Sequence, residues 1–176
     1  MNLYILRHGK AEAFGPSYPR DDLRPLSPRG LRRTEESTRG MAAANVVVDV
    51  IISSPLLRAR QTAEIVHAGL NVAADIEYSD ALARGDLSGI VTSVRSHARS
   101  KGVMLVGHEP TLSQLISILA CGAPGGTLGL KPGGLCKLQT YDIGLWQCAV
   151  LRWFLTPKQL VGLGRRSRTS DRDAAA

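Results

Sequence analysis

The chain has 176 residues, 44% of them apolar and 21% charged, with a net charge of +7. That length suits one domain with a real core, and no apolar run approaches the roughly 20 residues that span a bilayer, so a soluble globular protein with no membrane partner is expected. The basic balance would fit nucleic acid, but aromatics are only 5% and no basic stripe interleaves with stacking rings, so no nucleic-acid partner is expected and a basic cleft for an anionic substrate accounts for the charge as well.

Asn2-Leu3-Tyr4-Ile5-Leu6 is short, apolar and β-leaning, and reads as a buried first strand. It starts within two residues of the N-terminus with no basic-then-apolar leader, which points to the cytoplasm. Ser27-Pro28 is a helix start, a serine cap followed by proline at the first helical position, and the helix is predicted over Pro28–Ala44. Val46–Ser53 is an apolar, β-branched second strand. Pro55 opens a helix through Ala68 that ends at Gly69. A weaker strand over Ala73–Tyr78, a helix over Ser88–Ser100, a buried strand over Val103–Gly107 and a helix over Thr111–Ala120 follow. Glycines and Pro124 make a loop at 122–133. Leu135–Tyr141 and Leu145–Leu155 read as a hairpin turning at Asp142-Ile143-Gly144.

Alternating strands and helices predict an α/β fold: a mostly parallel sheet covered by helices on both faces, with the hairpin as an antiparallel edge. Residues 1–156 read as one domain. After Thr156 the chain turns Gly-, Arg- and Ser-rich, and 157–176 reads as a basic, flexible tail. Cys121, Cys136 and Cys148 are odd in number and form no C-x-x-C pair. That argues against a disulfide framework or a structural zinc site, and reduced, mostly buried thiols are expected.

The chemistry sits at three strand ends: Arg7-His8-Gly9, Ser53-Ser54-Pro55 with Arg58, and Gly107-His108-Glu109-Pro110. Ligands bind at the carboxyl ends of strands in open α/β sheets, and in a parallel sheet these ends share one edge, so Arg7, His8, Arg58 and His108 can converge. Guanidinium forks match phosphate oxygens, and helix N-termini at Pro55 and Pro110 add donors. No carboxylate cluster stands ready for Mg²⁺, and no glycine–lysine phosphate loop is present. Protein cations must then neutralise the charge and a side chain must be the nucleophile. Flanking arginines disfavour an imidazolium, leaving a ring nitrogen free to attack phosphorus. His67 and His97 have no such company and read as surface residues. Arg29, Arg32, Arg33 and Arg39 read as a solvated helix face, and Lys10 and Glu109 as rim charges or substrate contacts in equal measure.

Leu6-Arg7-His8-Gly9-Lys10-Ala11, Arg24-Pro25-Leu26-Ser27-Pro28-Arg29-Gly30, Ser53-Ser54-Pro55 with Arg58-Ala59-Arg60-Gln61-Thr62-Ala63, and Val106-Gly107-His108-Glu109-Pro110 closely resemble the histidine phosphatase superfamily, nearest to its small SixA-like branch of phosphohistidine phosphatases. The resemblance spans roughly residues 1–155. It implies a three-layer α/β/α sandwich of the phosphoglycerate-mutase type. It also implies a cofactor-free, metal-independent phosphatase in which His8 becomes phosphorylated, Arg7 and Arg58 clamp the phosphoryl oxygens, and His108 donates to them. Arg24 supports the pocket on the same analogy. Larger members carry a glutamate or aspartate general acid after the third strand. Here that stretch offers only Asp80 and Asp86, neither in a convincing context. A phosphoramidate suits this, because imidazole leaves phosphorus more readily than an alkoxide and needs less acid assistance.

The expected substrate is therefore phosphohistidine in a protein. The alternatives are a small-molecule phosphomonoesterase, for which Asp80 or Asp86 would have to reach the pocket mouth, and a non-catalytic phosphate-binding module, which needs no nucleophile.

Overall fold

The computed structural model describes residues 1–125, 128–144 and 147–173, the last six as backbone. Six strands, β1 (Asn2–Arg7), β2 (Val50–Ser53), β3 (Glu77–Tyr78), β4 (Gly102–Gly107), β5 (Leu135–Thr140) and β6 (Ala149–Leu155), form one sheet in the order β3-β2-β4-β1-β5-β6. β3, β2, β4 and β1 run parallel; β5 and β6 are antiparallel and close the far edge. The central strands β1, β2 and β4 bury both faces, which explains their near-continuous apolar sequence. Leu3, Ile5, Ile52, Val103 and Leu105 face one helical layer, formed by α3 (Asp80–Arg84), α4 (Leu87–Arg95) and α5 (Thr111–Cys121). Tyr4, Leu6, Ile51, Met104 and Val106 face the other, formed by α1 (Pro28–Ala43), α2 (Leu57–Leu70) and α6 (Pro157–Asp173). No helix among the described residues is long and apolar enough to cross a membrane.

The predicted elements recur with changed bounds. Ser27 caps α1 as expected, its Oγ accepting from Gly30 N at 3.1 Å. β2 starts at Val50, because Val46 turns back under α1 (its N–H reaches Met41 O at 3.0 Å) and Asp49 Oδ2 accepts from Lys101 and Gly102 N–H. α2 starts at Leu57, since Ser54 Oγ accepts from Leu56 N at 3.3 Å and holds Pro55 in a turn. Only Glu77 and Tyr78 of the weak third strand pair with β2. The predicted 88–100 helix is α4, preceded by α3, which was not foreseen. Leu145 and Trp146, predicted to begin the last strand, lie outside the described residues. Of the cysteines, Cys136 is buried, Cys148 is half-buried and Cys121 is exposed, so burial does not extend to all of them.

The largest departure is at the end. Within the described residues the chain after Thr156 forms a helix, α6, over Pro157–Asp173. Thr156-Pro157-Lys158-Gln159 is a capping box with proline at the first helical position: Gln159 Oε1 accepts from Thr156 N at 2.9 Å, and Gln159 N donates to Thr156 Oγ1 at 3.3 Å. Leu160 and Val161 are buried against the layer of α1. A Cβ on Gly40 of α1 would lie 1.8 Å from Leu160 O, so the two helices touch backbone to backbone. Gly40→Ala must push α6 away, and we expect it to cost about 1–3 kcal/mol as overpacking, read from urea unfolding. An unchanged midpoint would mean that α6 does not dock here in solution.

Candidate active site

Register brings the three chemical segments to one edge. β1 lies between β4 and β5, with Arg7 opposite Gly107, and His8 N donates to Gly107 O at 3.1 Å. β2 lies on the other side of β4, and Ser54 N donates to Val106 O at 2.9 Å. His8, Ser54 and His108 therefore leave adjacent parallel strands at the same level. The rings of His8 and His108 stand 5.0 Å apart. α2 ties the neighbouring segments down: Gly9 N donates to Thr62 Oγ1 at 3.0 Å and Leu26 N to Gln61 Oε1 at 2.7 Å. In the Arg58–Thr62 stretch, then, Gln61 and Thr62 hold backbone, Arg58 enters the site, and Arg60 lies over the Tyr78 ring at 5.3 Å.

His8 is buried, and its Nδ1 lies 2.7 Å from Gly9 O. A carbonyl only accepts, so Nδ1 carries the proton and Nε2 keeps its lone pair. Burial, with smaller contributions from the charges of Arg58, Arg7 and Arg24, lowers the His8 pKa to about 4, although the Gly9 hydrogen bond works the other way. His108 is lowered to about 3 by burial first and then by His8 and Arg58. Its Nε2 is 2.8 Å from Ser54 Oγ. Ser54 Oγ also accepts from Leu56 N and keeps both a proton and a second lone pair, so it can pair with either tautomer of the His108 ring. At neutral pH the pair is an open lone pair on His8 beside a neutral His108 ring.

Both rings resist protonation in the fold, whereas unfolded histidine titrates near about 6.5. On acidification below that value the unfolded state takes up protons that the folded state refuses, so stability falls. The loss ends only near the folded values, about 4 for His8 and about 3 for His108. Between pH 6.5 and 5 we expect each to remove about 1–2 kcal/mol. Urea unfolding of His8→Gln and His108→Gln over this range should show a shallower slope than the parent. A parallel slope would mean the rings are not buried neutral.

The cations surround this pair. Arg7 Nη1 donates to Leu130 O at 2.6 Å. Leu130 is in turn held by Glu109, whose Oε1 accepts from Leu130 N at 2.8 Å while the carboxylate also takes the N–H and hydroxyl of Ser113. Arg58 is buried; its Nη1 donates to Asp21 O at 2.7 Å and its Nη2 to Asp21 Oδ2 at 2.9 Å. Arg24 Nη2 meets the other Asp21 oxygen at 2.7 Å, and its Nη1 donates to Glu12 O. Burial pulls the Arg7 and Arg58 pKa values down, opposed by Glu109 and Asp21 respectively; both stay cationic. Burial acts to raise Asp21, but Arg58 and Arg24 outweigh it and hold the carboxyl below its usual range. The Nε of Arg7, Arg24 and Arg58 and Nδ1 of His108 are buried with no partner among the described residues. Three buried guanidinium donors and a neutral ring nitrogen form a cradle for a tetrahedral oxyanion.

The structure thus gathers Arg7, His8, Arg58, His108 and Arg24. It does not bring Asp80 or Asp86 to them. Asp80 is exposed and paired with Arg84 at 3.2 Å, and Asp86 caps α4 by accepting from Gly89 N. The two carboxylates at the site are Asp21 and Glu109. Asp21 was missed; its only trace in the sequence is an acid three residues before Arg24. His67 and His97 lie elsewhere, His97 paired with Glu77 at 3.0 Å.

A sequence profile described as histidine phosphatase superfamily (branch 1) matches residues 3–84. An uncharacterized protein of Picosynechococcus is 34% identical over 142 residues, covering 80% of this chain and 86% of its own. Phosphohistidine phosphatase SixA of Escherichia coli is 28% identical over 125 residues, covering 69% of this chain and 76% of its own. Among solved structures, the protein histidine phosphatase SixA complexed with tungstate superimposes with a TM-score of 0.78 at 23% identity, over 91% of this chain and 99% of that one. The fold is accordingly the phosphoglycerate-mutase-like α/β sandwich. The chain belongs to the histidine phosphatase superfamily, on its SixA-like side.

Proposed function

We propose that this phosphatase removes phosphate from phosphohistidine in a protein, through a phosphorylated His8 and without a metal. The observation that carries the reading is the His8 tautomer: Nδ1–H bound to Gly9 O and a pKa near 4 leave Nε2 unprotonated beside the guanidinium groups. In the first step Nε2 attacks phosphorus and the P–N bond to the substrate imidazole breaks, its electron pair returning to the leaving ring, which takes a proton from water. Arg7, Arg58 and Arg24 hold the phosphoryl oxygens, and His108 in this mechanism carries its proton on Nδ1, which donates to the charge that builds on them. In the second step water attacks phosphorus, the bond to His8 Nε2 breaks, and orthophosphate leaves.

The choice of substrate class follows from the proton donors. Asp80 and Asp86 are engaged elsewhere, Asp21 is held ionised between two arginines, and Glu109 accepts three hydrogen bonds. No carboxyl group at the site is poised as an acid, which handicaps an alkoxide leaving group more than an imidazole. The same feature counts against a small-molecule phosphomonoesterase. Among the described residues no three His, Cys, Asp or Glu side chains group as metal ligands, and the arginines supply the neutralising charge instead. The name of the Escherichia coli relative and the tungstate complex of the structural relative, a tetrahedral oxyanion, support the same reading.

The deciding experiment compares a phosphohistidine protein, a phosphoserine peptide and a sugar phosphate at neutral pH in EDTA. We expect kcat/KM for phosphohistidine to exceed the two esters by about 100-fold or more, the range one acid catalyst supplies. Equal turnover of the esters, or loss of activity in EDTA, would overturn the assignment.

A further inference from the structure

A cavity of about 560 Å³ lies beside the catalytic centre between the start of α1, the start of α6 and the Lys131–Gly133 turn. It shares Gly9 with that centre, but none of Arg7, His8, Arg24, Arg58 or His108 lines it. Its wall carries Lys10, Arg29, Arg33, Lys131 and Lys158 and no carboxylate. Only Arg33 among these has an ion pair within the described residues, a loose one to Glu36 at 3.6 Å. Ser37 lines the same cavity; it is 2% exposed, and its hydroxyl has no partner. The first turns of α1 (Arg29, Gly30) and α6 (Pro157, Lys158) both border the space, so two helix dipoles add positive potential.

Five like charges around one concavity repel each other, and apart from the loose Arg33–Glu36 pair no carboxylate among the described residues relieves them. The volume falls within the roughly 300–1,000 Å³ of small-molecule pockets, and concavity favours a small ligand over a flat protein face. We propose that this cavity binds a small polyanion carrying two or more phosphate or carboxylate groups, at a site separate from the phosphoryl cradle. The site adjoins the nucleophile through backbone: Gly133 N, in its wall, donates to both Arg7 O and His8 O, at 3.1 and 3.0 Å.

The test is titration calorimetry of the full chain at low salt with tripolyphosphate, citrate and a hexaglutamate peptide. One or both small probes should bind, more weakly as salt rises; tripolyphosphate alone would indicate phosphate groups, and both would indicate charge in general. Arg29→Gln/Arg33→Gln/Lys158→Gln should raise Kd at least tenfold while basal phosphatase activity stays within twofold. Arg29→Gln and Lys158→Gln singly should each raise it severalfold with unchanged cooperative melting. Arg58→Gln should leave Kd within threefold. No binding of either small probe, preference for hexaglutamate, or binding lost in Arg58→Gln and kept in the triple variant would overturn the proposal.

Discussion

His8→Ala is expected to lower turnover of a phosphohistidine protein by about 10⁴-fold or more, the scale on which covalent enzymes lose rate without their nucleophile. Nothing nearby can replace it. His108 Nε2 is engaged with Ser54 Oγ, and in the proposed mechanism its Nδ1 carries the proton. The carboxylates of Asp21 and Glu109 are bound to arginines and backbone donors. Folding should survive, because the ring's polar contacts are one bond to its neighbour's carbonyl and the close approach to His108. Rapid quenching in alkaline detergent with ³²P-labelled substrate should trap an acid-labile, base-stable label on the parent and none on the variant. Retained turnover, or a label on another residue, would remove His8 from the mechanism. A more conservative check is the acid limb of kcat/KM. It should fall near pH 4 rather than near 6.5, because protonating Nε2 stops attack and burial holds its pKa at about 4.

Much of this site was legible because the strands are. Leu3–Leu6 and Val103–Val106 are apolar on both faces, so they had to be central strands, and parallel central strands end on one edge. The pairing of Arg7 with Gly107 then places His8 beside His108. Asp21 was not legible, because it reaches the site from a 3-10 turn (Asp21–Leu23) in an irregular segment, where neither period nor motif indicates which way a side chain faces. Asp80 and Asp86, offered by the sequence in no convincing context for an acid, do local work instead, one in an i,i+4 pair and one at a helix cap. The end of the chain was misread because composition outweighed local signal. Thr156-Pro157 repeats the Ser27-Pro28 start pattern, and Leu160, Val161 and Gly164 mark a face narrow enough to lie on Gly40. The arginines that dominate the composition lie beyond that contact.

Arg58→Gln should reduce kcat/KM by about 10³-fold, between the loss from one preorganised donor and that from an arginine acting on a transferring phosphoryl group. Two effects combine. The variant loses a buried cation whose Nε is free for a phosphoryl oxygen. It also leaves Asp21 opposed by Arg24 alone, at 2.7 Å, so a carboxylate now faces an incoming anion. Arg58→Lys should rescue little, since one ammonium cannot hold Asp21 by two contacts and also present a third donor. Asp21→Asn alone should cost less, because both arginines keep their charge and lose only an anchor. Combined with Arg58→Gln, Asp21→Asn should recover about tenfold of the lost rate, the signature of partners in one network. Strict additivity of the two changes would show that Asp21 does not oppose the phosphoryl group. An Arg58→Gln enzyme within tenfold of the parent would show that Arg7 and Arg24 suffice as the clamp. The acid limb offers an independent reading: losing the Arg58 charge should move it slightly upward, and only slightly, since burial rather than charge dominates the lowering of His8.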